Sequence, residues 1–317
     1  MKLIVGFLTY NELSSKYLKE FLGSLEKALG FLNRSDFKVF AFDNSPLDNS
    51  ENKLFINEFN VSHNNLIEYF TENKNLGFGK AFNILINKAK FLEAEYFLVL
   101  NPDMILDPEA VKRLLEVMER DSELSAVAPK IYYWDFLKLQ KTNKIDSLGI
   151  IVKPGLRFYD LGQGAEDIGQ FDNQQIIGPS GAAGLFRLKD LDNISLINDN
   201  RKQYFDERFF MYKEDCDLAY RLYLAHLKTA IVPGALVYHD RSSGADRQTI
   251  FKKITNRFRK SRQIRAWSLQ NQNILYSKYW KNQNFVNKIL VIFWFLVSLF
   301  FSLILEQFNL KTYFKRL

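Results

Sequence analysis

Residues 95–103 read Glu95-Tyr-Phe-Leu-Val-Leu-Asn-Pro-Asp103. A continuous apolar run that stops on Asn-Pro-Asp predicts a strand buried on both faces, as in a parallel sheet, delivering polar groups at its carboxyl end. Residues 3–8 and 37–42 repeat the pattern, and 65–70 forms a weaker copy. Helical spacing fills the intervals. It runs over 15–29, with Leu18, Phe21, Leu22, Leu25 and Leu29 on one side, over 80–90, and over 108–118 with Pro108 at a tolerated helix start. A further short strand is predicted over 125–128, ending at Pro129. Strands and helices that alternate on short connections make βα units, so the first 130 residues predict an α/β fold: a Rossmann-like, mostly parallel central sheet flanked by helices.

Residues 131–200 change character, with glycines, aromatics and short alternating stretches that predict hairpins and long loops. A helix is predicted over about 210–225. Two short strands, 229–232 and 235–237, are predicted around Pro233-Gly234. Composition agrees with a packed fold: 47% of residues are hydrophobic and 25% charged, which excludes a disordered or collagen-like chain. The single cysteine, Cys216, excludes a disulfide framework or a thiolate metal cluster and points to a reducing compartment.

In open α/β sheets ligands lie beyond the carboxyl ends of the strands. That rule selects Thr9, Tyr10 and Asn11 after the first strand and Asp43 and Asn44 after the second. It also selects Asn75, Gly77 and Gly79 before a helix, and Asn101 and Asp103 after residues 95–100. Asp103 suits a hard divalent cation, or else closes an Asx turn. Asp43 either accepts hydrogen bonds from a base or ribose, or closes its own turn. No Walker Lys-Ser pair follows Gly77-Phe-Gly79, and the three spaced glycines of a dinucleotide fold are absent after the first strand. Glu214, Asp215 and Asp217 open a helix that includes Arg221. Acids there favour the helix dipole, yet two of them interrupt an aromatic stretch, where a carboxylate can take a proton from a sugar hydroxyl. Cys216 lies between acids, which raises its pKa and argues against a nucleophile. His239 ends a predicted strand and, with Asp103, offers a nitrogen and oxygen donor pair suited to Mn²⁺ or Mg²⁺.

Taken in order, these segments resemble the family 2 (GT-A fold) inverting glycosyltransferases, in their bacterial rhamnosyltransferase-like branch. The matching pieces are Thr9-Tyr-Asn11, Asp43-Asn-Ser45, Asn75-Leu-Gly-Phe-Gly79 with Asn83, and Leu100-Asn-Pro-Asp103. They continue with Gly181-Ala-Ala-Gly184, Phe205-Asp-Glu-Arg-Phe-Phe210, Tyr212 through Arg221, and Tyr238-His239. The resemblance implies a GT-A domain over residues 1–245 and roles by position. Thr9, Asn11, Asp43, Asn44, Asn75, Gly77 and Asn101 would border the nucleotide sugar. Asp103, in an Asn-x-Asp variant of the family's Asp-x-Asp motif, and His239 would hold Mg²⁺ or Mn²⁺. Asp215, with its neighbour Glu214, would be the catalytic base, and Gly181, Ala182, Asp217 and Arg221 would line the acceptor side. The implied donor is a nucleotide-diphosphate sugar, with dTDP-rhamnose first and another dTDP- or UDP-sugar second. The implied acceptor is a polyprenyl-diphosphate-linked saccharide in bacterial surface polysaccharide synthesis. A catalytically inactive scaffold with the same fold is the rival reading. A sugar nucleotidyltransferase is disfavoured, because its Gly-rich loop with Arg and Lys after the first strand is missing.

Residues 246–317 differ from the body. From Lys252 onward thirteen Lys/Arg face the lone acid Glu306, whereas residues 1–251 carry 30 basic and 35 acidic side chains. A positive end of this size seeks an anionic partner. No helix-turn-helix, finger or single-strand-binding pattern is present, so a membrane surface is preferred to nucleic acid. Residues 289–305 are apolar on all sides, at the lower length limit for a spanning helix, and Trp267, Tyr276, Tyr279 and Trp280 precede them. A membrane span, a helix dipping into or lying in the bilayer, a homodimer contact and a buried core helix all fit that run. Residues 1–10 read as a strand rather than a secretory signal. The expectation is therefore an enzyme on the cytoplasmic face of the cell membrane, peripheral or monotopic through its helical C-terminal extension.

Overall fold

The computed structural model describes residues 1–46, 50–240, 258, 261–310 and 313. The chain begins with β1 (Leu3–Thr9), the short α1 (Asn11–Ser15), α2 (Leu18–Leu29), β2 (Phe37–Asp43), α3 (Glu51–Ser62) and β3 (Ile67–Thr71). It continues with α4 (Phe78–Phe91), β4 (Tyr96–Leu100), β5 (Met104–Leu106), α5 (Ala110–Arg120), β6 (Leu124–Asp135) and β7 (Gln140–Ser147). Next come β8 (Ile150–Lys153), β9 (Arg157–Asp160), β10 (Ala183–Arg187), α6 (Leu188–Asn193), β11 (Leu196–Asn198) and β12 (Arg201–Gln203). Then follow α7 (Glu214–Leu224), β13 (Lys228–His239), α8 (Arg262–Tyr279) and α9 (Phe285–Leu305).

The main sheet runs β3-β2-β1-β4-β10-β6-β13-β5, with β7 beside β6. Its first four strands are parallel, as their apolar runs predict. Beyond β4 it is mixed: β10 is antiparallel to β4 and β6, β13 is parallel to β6, and β5 and β7 pair antiparallel. The sheet is buried on both faces. Leu18, Phe21, Leu25, Val111, Leu114 and Leu115 cover one side, and Phe82, Leu85, Ile86 and Leu218 the other. Each such Leu or Phe is worth about 1.5–3 kcal/mol relative to exposure.

Three local predictions need correction. β6 runs straight through Pro129 instead of ending there. Pro129 falls between the β10 pairing, which stops at Val127, and the β7 pairing, which starts at Ile131, so its missing N–H costs no bond on that side. The two short strands around Pro233-Gly234 are one strand, β13, whose register shifts between Val232 and Leu236; the proline and glycine sit in a bulge. Helix α3 has no counterpart in the periodicity, because only Asn52 and Ile56 of it are buried. It forms from a local cap instead, with Ser50 Oγ accepting from the Lys53 N–H at 3.1 Å.

The C-terminal extension shares a core with the body. Ile274, Leu275, Tyr276, Tyr279 and Val291 pack with Leu156, Phe209 and Tyr220. Helix α9 doubles back along α8: Val291 meets the end of α8, while the buried Glu306 pairs with Arg265 near its start at 2.8 Å. One stripe of α9 is covered by this packing. The opposite stripe, including Phe285, Ile289, Ile292, Phe293, Leu296, Phe300, Leu303 and Ile304, is exposed. The helix has 21 residues, long and apolar enough to cross a membrane, and 11% of its most apolar window is buried. The basic residues of 251–257, 259 and 260, and Lys311, Lys315 and Arg316, lie outside the described residues.

Candidate active site

The carboxyl ends of β1, β2 and β4 form one edge. Thr9 and Asp43 are register partners, the Asn44 N–H donates to the Thr9 carbonyl at 2.8 Å, and the Asn11 N–H donates to Ser45 Oγ at 2.8 Å. Asp43 is fully buried, and its carboxylate accepts from Ser45 Oγ at 2.6 Å, Tyr69 Oη at 2.8 Å and Ser50 Oγ. Burial alone would raise its pKa, but these hydroxyls overcome it and hold the carboxyl below its ordinary range. These bonds order the loop beneath the edge, the turn-closing alternative of its sequence reading. Asn44 ties that loop to the next one, accepting from the Leu76 N–H at 3.0 Å and donating to the Gly77 carbonyl at 3.2 Å. Asn75 Oδ1 accepts from the Gly77 N–H at 2.9 Å. Gly77 has φ +77°, and a Cβ there would lie 2.3 Å from the Phe210 carbonyl oxygen, so glycine is required. Thr9 Oγ1, in contrast, is buried at this edge without a hydrogen-bond partner.

At the end of β4, the Asn101 N–H donates to the Ala182 carbonyl at 2.9 Å, which joins the Asn-x-Asp turn to the start of β10. Pairing of β5 with β13 places Met104 opposite His239 and so brings Asp103 to it. Asp103 Oδ1 lies 3.2 Å from His239 Nε2 but has no aligned hydrogen bond. His239 Nδ1 lies 2.7 Å from Asp146 Oδ2. Burial pushes the His239 pKa down, but the nearby Asp103 carboxylate and the bond to Asp146 outweigh it and raise it to about 10. The pocket is thus built for positive charge. Asp146 fixes the imidazole and leaves Nε2 facing Asp103, the arrangement found behind metal-bound histidines. Among the described residues no group of three or more His, Cys, Asp or Glu is placed to hold a metal alone. The residues fit a cation that takes Asp103 oxygen and His239 Nε2 and completes its shell with ligand oxygens and water.

Asp215 sits in the first turn of α7, where its Oδ2 accepts from the Gly181 N–H at 2.9 Å and its Oδ1 from the Cys216 N–H at 2.7 Å. A Cβ on Gly181 would stand 3.2 Å from Asp215 Cβ and 3.3 Å from Phe78, so the glycine lets the 181–182 turn close on the carboxylate. Glu214 points the other way. It is buried, its Oε2 has no hydrogen-bond partner, and burial with the nearby Asp215 charge raises its pKa well above the usual carboxylate range. Its charged form is therefore disfavoured beside Asp215. Burial likewise raises the Cys216 thiol, consistent with an inert side chain.

Asp217 and Arg221, expected on the acceptor side, are held in a buried network with α8. Asp217 accepts from Arg221 Nε at 2.9 Å, Lys278 Nζ at 2.6 Å and Tyr279 Oη at 2.7 Å. Arg221 also donates to the Ile194 carbonyl at 2.6 Å and to the Tyr204 carbonyl. Lys278 and Arg265 are therefore taken from the expected membrane-facing charge. The same helix α8 controls the approach to Asp215. Tyr212 and Lys213 are consecutive non-glycine residues in the left-handed region, with φ of 73° and 69°. Asn271 Nδ2 donates to the Met211 and Tyr212 carbonyls at 2.8 and 2.6 Å and holds that turn. Asp146 and Asn271 were not legible as site residues: one lies in a hairpin and the other in the basic extension, and only pairing and packing bring them here.

The sheet order and this edge define a GT-A architecture. Residues 5–194 match the family described as glycosyl transferase family 2, and the protein belongs to that family. No curated protein matches the chain. Among solved structures, GalNAc-T7 with UDP, GalNAc and Mn²⁺ superposes with a TM-score of 0.57 at 14% identity, covering 76% of this chain and 44% of that one. S. aureus TarS gives 0.52 at 17% identity, covering 87% of this chain and 42% of that one. The mannosyltransferase PcManGT from Pyrobaculum calidifontis, with GDP-Man and Mn²⁺, gives 0.56 at 13% identity over 98% and 72%. The chain thus spans less than half the length of the first two, and at these identities the likeness establishes the fold.

Proposed function

We propose that this protein transfers a sugar from a nucleoside-diphosphate donor to an acceptor hydroxyl by single displacement, with inversion. The carrying observation is that Asp215, Asp103 and His239 stand on one sheet edge in a chain of this family. Asp215 takes the acceptor proton as the oxygen attacks the anomeric carbon, and the Gly181 and Cys216 N–H groups, one on each carboxylate oxygen, fix its orientation while leaving each oxygen a further lone pair. Mg²⁺ or Mn²⁺ held by Asp103 and His239 would offset the charge that builds on the departing diphosphate. The acceptor is a saccharide on a polyprenyl diphosphate. For the donor, the alternative of another dTDP- or UDP-sugar is preferred to dTDP-rhamnose, since GalNAc-T7 holds UDP with GalNAc and PcManGT holds GDP-Man.

The test is a screen of nucleotide sugars against a lipid-diphosphate acceptor, with and without EDTA. Chelation should abolish transfer, and Asp103→Ala should lose Mn²⁺ binding measured by electron paramagnetic resonance with UDP present. Full Mn²⁺ binding by Asp103→Ala removes the metal assignment.

The α9 stripe supports a monotopic attachment. A helix tied to the body through Val291 near its start and through Glu306 just past its end, with an exposed apolar stripe between, has one face for protein and one for lipid, whereas a spanning helix would leave the body. Phe293→Glu with Leu296→Glu and Phe300→Glu alters only exposed positions. At about 2–3 kcal/mol or more per charge buried in hydrocarbon, it should move most of the protein from membrane to soluble fractions without changing its melting temperature. Retention on membranes would remove the attachment role.

A further inference from the structure

A groove of about 430 Å³ runs from the Asp215 turn toward the exposed face of α9, between β9, α8 and α9. Lys213 lines it at the turn, Arg157 lines it from β9 against Trp294, and Val297 and Phe301 continue it along α9. Among the described residues neither cation lies within ion-pair distance of a carboxylate, unlike Lys130, Arg187, Arg221 and Lys278, which are all paired. Arg157 stacks over the Trp294 ring at 4.2 Å, and its Nε is buried without a hydrogen-bond partner. A half-buried guanidinium whose buried Nε has no acceptor is suited to an anion. Lys213 lies two residues before Asp215, held there by its left-handed backbone. The site is therefore amphipathic: two cations without a carboxylate partner among the described residues, one of them two residues before the proposed base and the other against Trp294, then an apolar wall that continues onto the exposed stripe of α9.

We propose that this groove binds the diphosphate and first isoprene units of a polyprenyl-diphosphate acceptor. Arg157 and Lys213 take the diphosphate, and Trp294, Val297 and Phe301 take the chain as it leaves toward the bilayer. The assignment rests on the glycosyl-transfer reading and adds to it the place where the lipid carrier binds. A nucleotide would satisfy the two cations but leave the apolar wall unused. A free hydrocarbon would do the reverse.

The full chain in detergent, with saturating UDP to fill the donor side, is titrated with farnesyl diphosphate by calorimetry. Farnesyl diphosphate should bind at least about tenfold tighter than farnesol or inorganic pyrophosphate, since each lacks one half of the recognition. Arg157→Gln with Lys213→Asn should weaken it at least about thirtyfold through two lost charge-assisted contacts, asparagine being tolerated at positive φ. UDP binding by the variant reports its folding. As a second measurement on the unaltered protein, a benzophenone-bearing isoprenyl diphosphate should crosslink within residues 294–301. Unchanged affinity in the double variant, pyrophosphate or lysophosphatidylglycerol binding as tightly, or crosslinks confined elsewhere, would each overturn the groove. Nucleotide-sugar binding without farnesyl diphosphate binding removes only this inference. Farnesyl diphosphate binding without any nucleotide-sugar binding removes the transfer reading instead.

Discussion

Asp215→Asn is expected to lower kcat for sugar transfer by about 10²–10⁴, the range for loss of a general base, with the donor KM within about twofold. The amide keeps the shape of the carboxylate and can still accept one of its two backbone N–H bonds, so the side chain stays close to its place while its proton affinity is lost. Glu214→Gln supplies the contrast. Because burial and the Asp215 charge already favour the protonated acid, a neutral amide replaces like with like, and kcat should stay within about threefold. Steady-state kinetics with one donor and acceptor pair decides both. Equal turnover by Asp215→Asn would leave the chain as a scaffold of glycosyltransferase fold. A large loss in Glu214→Gln with none in Asp215→Asn would exchange the two roles.

Sequence pattern reached the parts of this site that depend on local chemistry. The strands that end at Thr9, Asp43 and Leu100 are continuous apolar runs, and each projects its polar groups at the predicted edge. The Asp103 and His239 pairing was expected because both residue types suit one cation, and β5–β13 pairing delivers it. What failed was the fate of individual carboxylates. Asp43, Glu214, Asp215 and Asp217 look alike in a sequence, yet burial and partners separate them. Three hydroxyls occupy the first, burial disfavours the charge of the second, two backbone N–H groups hold the third, and two cations and a phenol surround the fourth. Such distinctions arise from contacts between elements far apart in the chain. The basic extension misled for the same reason. Its charge was legible, but not that Arg265 and Lys278 turn inward to Glu306, Asp206 and Asp217.

Asp217→Ala is expected to cost about 3–5 kcal/mol, the range for removing one partner of a buried ionic network. Asp217 is fully buried, and its loss leaves Arg221 and Lys278 without one counter-charge and Tyr279 Oη without its acceptor. At about 2–4 °C per kcal/mol for a chain somewhat smaller than this one, the melting temperature should fall by roughly 10 °C. Lys278→Met should cost less, because Asp206 keeps Arg208 and Asp217 keeps Arg221. The network also sets an acid limit. Burial would raise the Asp206 pKa, but Arg208 and Lys278 depress it, so its stabilisation is present at neutral pH and is lost as pH falls below the ordinary carboxylate range. The larger consequence is catalytic. Lys278 and Tyr279 lie on the helix whose Asn271 clamps the Tyr212–Lys213 turn in front of Asp215. Loosening α8 should therefore lower kcat even at temperatures where Asp217→Ala is folded, and Asn271→Ala should reproduce that fall with a much smaller loss of stability. A melting temperature within about 2 °C of the unaltered protein for Asp217→Ala would show that the network carries little energy. Full activity in Asn271→Ala would show that the turn holds its left-handed shape without the clamp.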